Sequence, residues 1–188
     1  SRVLVVYKKS AYQFHVLERR DPRLVGLMRR RHPALREMRT AHAVHRATLP
    51  DVVKSLKRHA LEYDLVYRAH LKTAARYDLV VSVGGDGTFL QASHVVTDSP
   101  MLGVNSDPAR SEAAFCAATR ENFERILREA LAGRLEERLL YRVQIRLNGR
   151  RLSPLALNDV LIAHDDPATM SRYRLTIGRR AEDQKSSG

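Results

Sequence analysis

Residues 77–90 read Tyr-Asp-Leu-Val-Val-Ser-Val-Gly-Gly-Asp-Gly-Thr-Phe-Leu, and this stretch decides the fold. Its apolar, β-branched run at 79–83 predicts a strand that is buried on both faces. That run leads straight into the turn Gly84-Gly85-Asp86-Gly87-Thr88, and residues 89–96 can then form a helix. A strand, a tight glycine turn and a helix start together present backbone N–H groups to an anion. The stretch therefore predicts an α/β fold with an anion-binding loop.

The carboxylate of Asp86 is the unusual member of this loop, because it would repel the phosphates that the glycines admit. Its presence makes chemical sense if it accepts a proton or holds a metal beside a phosphoryl group. The simpler interpretation is a glycine-rich turn in which Asp86 is the helix N-cap. The loop matches neither the P-loop pattern Gly-x-x-x-x-Gly-Lys-Ser/Thr nor the dinucleotide pattern Gly-x-Gly-x-x-Gly.

The composition narrows the class of partner. The 188 residues are 44% hydrophobic, which is enough for one domain plus part of another, and the formal net charge is +12. Nucleic acid and polyanionic small molecules such as nucleotides both fit that charge. Aromatic residues make up only 6% of the chain and tryptophan is absent, so a base-stacking surface is not expected and nucleic acid is the less favoured partner.

The compartment is predicted from cysteine and hydropathy. Cys116 is the single cysteine, which excludes an internal disulfide and a thiolate zinc site and fits a reducing compartment. No apolar run approaches the roughly 18 residues of a membrane span, and no signal peptide is visible. We therefore expect a soluble cytoplasmic protein with no membrane partner.

The first part of the chain alternates strand and helix patterns. Residues 2–7 predict a buried parallel strand, and Lys8-Lys9-Ser10 follow at the end where open α/β sheets bind ligands, so the lysines either face a phosphate or are simply solvated. Residues 21–60 predict helix, interrupted at Pro22, Pro33 and Pro50. The last of these helices would be capped by Thr48 or Asp51. His42 and His45 have no third ligand nearby, so no metal site is predicted.

The same alternation continues to about residue 133. Residues 64–68 and 101–105 predict further strands, the second of which ends in the loop Ser106-Asp107-Pro108. Residues 120–131 predict an amphipathic helix with Gly133 as its C-cap. Because strands and helices alternate, the sheet should be mostly parallel. The fold class predicted for 1–133 is a Rossmann-like α/β nucleotide-binding domain.

Beyond residue 134 the hydrophobic period changes from 3.6 to 2. Apolar residues alternate with polar ones at 141–147, and Asn148-Gly149 is a hairpin turn signal. Residues 155–164 and 172–178 predict two further strands. We therefore expect the start of a β-rich, dinucleotide-binding C-terminal domain at 134–188. Three strands are too few to stand alone, so this domain is expected to be incomplete.

A resemblance to a known family rests on two motifs in order. The loop Gly84-Gly85-Asp86-Gly87-Thr88 resembles the signature shared by NAD kinases, the diacylglycerol and sphingosine kinases and the phosphofructokinases. Asn158-Asp159 could bind an adenine edge and a ribose diol, or could form a plain turn between strands. NAD kinases carry an Asn-acid pair in this order. With residues 5–12, 102–108 and 156–164, the chain resembles the branch that includes plant NADH kinases and related bacterial proteins.

The resemblance implies an ATP-dependent kinase that phosphorylates NAD or NADH. It implies that Asp86 is the catalytic base that deprotonates the 2′-hydroxyl of the adenosine ribose, and that ATP with Mg²⁺ is the donor. It also implies a homo-oligomer in the full-length parent. The binding residues that it implies are Gly84, Gly85, Gly87 and Thr88 for the phosphates, Phe89 and Leu90 for an apolar wall, and Asn158 and Asp159 for the dinucleotide.

Three departures from the family pattern accompany this resemblance. Residues 111–116 stand where relatives have a glycine, and Ala117 or Ala118 replaces an aromatic residue that stacks on the dinucleotide. Relatives also continue after residue 188 with a strand and a glycine-rich loop, so the chain is expected to be weak or inactive alone. The alternative hypothesis is a basic α/β module that binds nucleotide or nucleic acid without turnover. Asp86 discriminates between the two, because a carboxylate among phosphates brings a non-catalytic binder no advantage.

Overall fold

A computed structural model describes residues 1–153, 155–166 and 169–186. The chain divides into two compact units, Ser1–Leu157 and Asn158–Gly188, and each is described by itself below. The domain boundary expected near residue 134 stays a prediction. Within the residues that the structure describes, no helix combines the length and apolar character that crossing a bilayer requires.

The first unit is built on a five-stranded parallel sheet with the strand order β2-β1-β3-β4-β5. This confirms the predicted α/β class and the strands expected at 2–7, 79–83 and 101–105. A short π-helix, Tyr12–Glu18, and a 3₁₀ turn, Arg68–His70, lie in the connections. The strands are β1 Arg2–Tyr7, β2 Glu62–Tyr67, β3 Leu79–Gly84, β4 Met101–Asn105 and β5 Ala118–Thr119. The helices are α1 Pro22–Arg29, α2 Pro33–Arg58, α3 Asp86–Ser93 and α4 Phe123–Leu131.

Helices cover both faces of this sheet, because the side chains of β1 and β3 alternate between two apolar layers. On one face α2 and α4 pack against the strands, and on the other face α3 does. The first layer contains Val3, Val5, Val52, Leu56, Val81, Val83, Phe123 and Leu127. The second layer contains Leu4, Val6, Ala74, Val80, Ala92 and Val96. The central strands are therefore buried on both faces, as the sequence predicted.

Helix α2 runs through Pro50, so the predicted interruption at that residue is wrong. Pro50 is exposed, and the backbone hydrogen bond that it cannot make is lost on the solvent side, where water can replace it. Thr48 and Asp51 consequently lie inside the helix and not at its N-cap. The Thr48 hydroxyl donates to the Val44 carbonyl, and Asp51 pairs with the guanidinium of Arg120.

The end of the first unit contains less strand than the period-2 pattern predicted. The turn Asn148-Gly149 is confirmed, since both residues have positive φ (50° and 77°) and join β6, Arg146–Leu147, to β7, Arg150–Arg151. Outside this hairpin, and among the residues that the structure describes, 141–147 contributes only one isolated bridge, between Val143 and Ala156. Alternation sustains a strand only where a neighbouring strand supplies hydrogen bonds along its length.

The second unit is an antiparallel hairpin of β8, Ser171–Ile177, and β9, Arg180–Ser186. The predicted strand at 172–178 is thus confirmed. The predicted strand at 155–164 is wrong, because only Ala156 takes part in a bridge and Asn158 has a φ of +86°, outside the extended region. Leu161 and Ile162 are 90% and 81% exposed, so no apolar layer holds this segment extended.

Candidate active site

The candidate site lies where the strand order of the sheet reverses. From β1 the chain moves outward to β2 on one side, whereas β3 continues to β4 on the other. The crevice at the carboxyl ends of two such strands is where open α/β sheets bind ligands. Tyr7 is paired with Val83, and Gly84 with Asn105. The glycine loop after β3 therefore lies between the segments that follow β1 and β4.

Glycine stands at different positions of this loop for different physical reasons. A Cβ on Gly84 would lie 2.8 Å from the Thr88 Cβ and nearer still to its hydroxyl, so close packing against the helix requires glycine there. Thr88 is buried, and its hydroxyl has no hydrogen-bond partner among the described residues. Gly87 is exposed, and a Cβ there would meet only Nη1 of Arg68, at 3.9 Å. Gly87 is thus the loop glycine that borders open space.

Asp86 is the first residue of α3, and Gly85 is the N-cap. The helix therefore starts three residues earlier than predicted, and the interpretation of Asp86 as the N-cap is wrong. Its carboxylate accepts two hydrogen bonds from a distant loop, one from the Ala114 N–H to Oδ2 (2.9 Å) and one from the Phe115 N–H to Oδ1 (2.8 Å). These bonds fix the direction of a half-buried carboxylate. Each oxygen keeps a free lone pair that can accept a hydrogen bond from a further donor.

Residues 111–116 form the loop that holds Asp86. Phe115 stacks on Phe89 with ring centroids 5.4 Å apart and an interplanar angle of 9°. The Asn105 side chain donates to the Ser111 carbonyl at 2.7 Å, which ties the loop to the end of β4. Phe89 is thus buried against the protein, while Leu90 is half-buried. Their role as an apolar wall for phosphates stays a prediction.

A buried imidazole that the sequence did not identify as functional ties two strand ends together. His45 Nε2 lies 2.8 Å from the Lys8 carbonyl, and Nδ1 lies 2.7 Å from the Ser106 hydroxyl. Since a carbonyl only accepts, Nε2 carries the proton and Nδ1 accepts from Ser106. Burial lowers the pKa of His45, which favours this neutral form. Ser106 in turn donates its N–H to the Gly84 carbonyl at 2.8 Å.

The sequence signal for His45 is its place in the buried stripe of α2, which continues through Thr48, Val52 and Leu56 at helical spacing. A histidine in such a stripe requires polar partners. His42, for which no metal was predicted, lies with Nδ1 2.7 Å from the Ser10 hydroxyl. Both imidazoles are therefore engaged by protein groups.

Lys8, Arg68 and the Cys116 thiol lie around the loop. Lys9 is paired with Glu18 at 2.7 Å, whereas Lys8 and Arg68 are half-buried. Arg68 was not identified from sequence. Burial raises the pKa of the Cys116 thiol to about 11, and the Asp86 charge acts in the same direction. The thiol is thus neutral at physiological pH, and the charges at the candidate site are those of the Asp86 carboxylate, Lys8 and Arg68.

Asn158 and Asp159 belong to the second unit and are both exposed. Asn158 lies in a bend and Asp159 in an irregular segment, and neither is in a strand. The loop residues Gly84 to Thr88 are brought together with the ends of β1 and β4. The assignment of Asn158 and Asp159 to the dinucleotide stays a prediction.

Comparison with known proteins identifies the family of this chain. A sequence model described as the ATP-NAD kinase N-terminal domain matches residues 18–135. A probable NADH kinase of Oryza sativa subsp. japonica is 40% identical over 161 residues, covering 77% of this chain and 49% of the relative. NAD kinase 2, mitochondrial, of Homo sapiens is 30% identical over 200 residues, covering 99% and 44%. The chain thus spans about half the length of the curated relatives it matches. By domain match and identity, the chain belongs to the NAD kinase family.

Proposed function

We propose that this protein is an NAD(H) kinase, which transfers the γ-phosphoryl group of ATP to the 2′-hydroxyl of the adenosine ribose of NAD or NADH. The observation that supports the proposal is the carboxylate of Asp86, oriented by the N–H groups of Ala114 and Phe115 beside a glycine loop at the sheet's switch point. Relatives named NADH kinase and NAD kinase carry that activity in their names. Nothing observed favours the alternative of a non-catalytic module.

The reaction needs little covalent chemistry from the protein. The bond between the ribose 2′-oxygen and the γ-phosphorus forms as the bond from that phosphorus to the β–γ bridging oxygen breaks, and ADP leaves. Asp86 takes the proton of the 2′-hydroxyl, for which its free lone pairs are suited. Gly84, Gly85, Gly87 and Thr88 line the phosphate site, and positioning carries most of the rate.

Mg²⁺ enters this proposal as part of the donor complex. Among the residues that the structure describes, no three His, Cys, Asp or Glu side chains form a metal-binding group. Mg²⁺ would be held chiefly by ATP phosphate oxygens and water, with at most a carboxylate or two from the protein. The ion would neutralise the charge on the transferring phosphoryl group.

Asn158 and Asp159 would bind the acceptor. Asn158 offers an amide and Asp159 a carboxylate, which suit an adenine edge and a ribose diol. A cytoplasmic location, homo-oligomerisation and the absence of a nucleic-acid partner belong to the same proposal. The mitochondrial location in the name of the Homo sapiens relative is a property of that protein.

The test is a phosphorylation assay on the full-length gene product with ATP or polyphosphate as donor and NAD or NADH as acceptor. Formation of NADP or NADPH, separated from the substrates by chromatography, is the expected result. The Asp86→Asn variant is the negative control, and it should form far less product. Nucleotide binding without any phosphorylated product, with every donor and acceptor pair, would overturn the proposal in favour of the non-catalytic module.

A further inference from the structure

Two neighbouring strands end in the same short pattern. Residues 5–8 read Val-Val-Tyr-Lys, and residues 65–68 read Leu-Val-Tyr-Arg. In the parallel register of β1 and β2, Tyr7 is paired with Tyr67. The backbones of the two strands are about 4.8 Å apart where they end, and Lys8 and Arg68 are the next residues of the two chains.

These two cations lack the partners that neighbouring cations have. Lys9 pairs with Glu18, and Arg2 pairs with Asp64. Among residues 1–153, 155–166 and 169–186, neither Lys8 nor Arg68 forms an ion pair, although both are half-buried. Burial, and next the charge of Arg68, lowers the pKa of Lys8, while the charge of Asp107 acts in the opposite direction. Two unpaired like charges side by side are unfavourable unless an anion neutralises them.

Both cations are held beside the glycine loop. Nη1 of Arg68 is 3.9 Å from the position a Cβ would take on Gly87, the glycine that borders open space. The backbone of Arg68 is anchored to α3, because its carbonyl accepts from the Gln91 side chain at 3.1 Å. The backbone of Lys8 is anchored by its carbonyl to His45 at 2.8 Å. Arg68 is thus attached to the helix that begins at Asp86, whereas Lys8 is attached to α2.

We propose that Lys8 and Arg68 form a subsite for the phosphate chain of a nucleotide, on the side of the loop next to Gly87. The inference deepens the proposed function, and rests on it for the identity of the nucleotide. The guanidinium can bind two phosphate oxygens at once, and the ammonium acts as a compact charge beside it. The chain bound there is the triphosphate of ATP or the pyrophosphate of the dinucleotide.

The test measures anion binding and kinetics separately in the full-length gene product. Inorganic tripolyphosphate is titrated calorimetrically into the parent and into Lys8→Met, Arg68→Met and the conservative Arg68→Lys. Arg39→Met is the matched control, because Arg39 is an exposed residue of α2 and its replacement makes the same change in charge. Each Met variant should raise the Kd by on the order of tenfold, as expected for one lost charge-assisted hydrogen bond. Arg68→Lys should lose less than Arg68→Met.

The kinetic measurement identifies the source of the phosphate chain. A rise in KM for ATP with an unchanged KM for NAD assigns the subsite to the donor, and the reverse assigns it to the acceptor. Thermal unfolding of each variant is measured first. If a Met variant does not fold, Lys8→Gln and Arg68→Gln take its place, since they keep a polar head.

One result would refute the subsite without refuting the proposed kinase activity, and another would do the reverse. Folded Lys8 and Arg68 variants that bind tripolyphosphate and both nucleotides as tightly as Arg39→Met would refute it, while the kinase activity could stand. Conversely, a parent that shows no kinase activity, yet loses tripolyphosphate binding in these variants, would refute the proposed reaction and leave the subsite in place.

Discussion

Asp86→Asn is the substitution that tests the proposed chemistry most directly. The amide has the shape of the carboxylate but does not act as a base at neutral pH. Removing a general base usually lowers kcat by on the order of 10²–10⁴. Nucleotide affinity should hold or rise, because a charge that repels phosphate is lost.

The structure also predicts how much the same substitution lowers the stability of the fold. The carboxylate accepts one N–H on each oxygen, from Ala114 and from Phe115. An asparagine keeps one of these bonds, but its NH₂ group then faces the other N–H. Losing one hydrogen bond to a charged group costs about 1.5–3 kcal/mol. For a chain of this size that corresponds to a fall in Tm of about 3–12 °C.

The assay follows NADP(H) formation at saturating substrate and, in parallel, thermal unfolding by circular dichroism. Asp51→Asn is the control, because Asp51 is an exposed carboxylate that pairs with Arg120 on the surface of α2. It makes the same chemical change and should leave kcat unaltered. If Asp86→Asn kept kcat within a few-fold while Tm fell, the carboxylate would hold the loop only, and its role as a base would be refuted.

The other predictions concern acceptor binding, pH and the thiol. Asn158→Ala or Asp159→Ala should raise KM for the dinucleotide and leave KM for ATP nearly unchanged; equal losses on both would contradict the assignment. Because burial lowers the pKa of His45 below 6.5, the unfolded chain takes up protons first on acidification, so Tm should fall from pH 7.5 to 5.5. His45→Gln should reduce that slope without abolishing it, since the pKa of His42 is also lowered by burial, and an unchanged slope would contradict this. With a pKa of about 11, Cys116 should react with iodoacetamide far more slowly in the folded than in the denatured chain, and equal rates would show that it is not buried.

Much of the fold could be predicted because its signals are local. The segments that became β1, β3 and β4 are mostly apolar on both alternating faces, which is typical of a strand covered on both sides. The glycine turn comes directly after the strand predicted at 79–83. Chain order therefore places the loop at the carboxyl edge of a parallel sheet. The Asn148-Gly149 turn is equally local, since it depends on two residues that accept positive φ.

Local patterns also predicted structure that is not there. Pro50 was expected to interrupt a helix, but the apolar stripe through Val52 and Leu56 buries the helix against the sheet and outweighs one missing hydrogen bond. The segment 155–164 was expected to be a strand from its apolar residues. A strand, however, is stable only with a hydrogen-bonded neighbour, and period-2 patterning does not provide one.

The sequence by itself therefore determined the class of the fold, the position of the glycine loop and the presence of Asp86 within it. Only the tertiary structure decided which groups surround that carboxylate. Its partners lie 28 and 29 residues away, His45 reaches Ser106 across 61 residues, and Arg68 stands beside Lys8 through the register of two strands. Periodicity states which face of an element is buried. Strand order and register, which depend on how all elements pack at once, decide what that face meets.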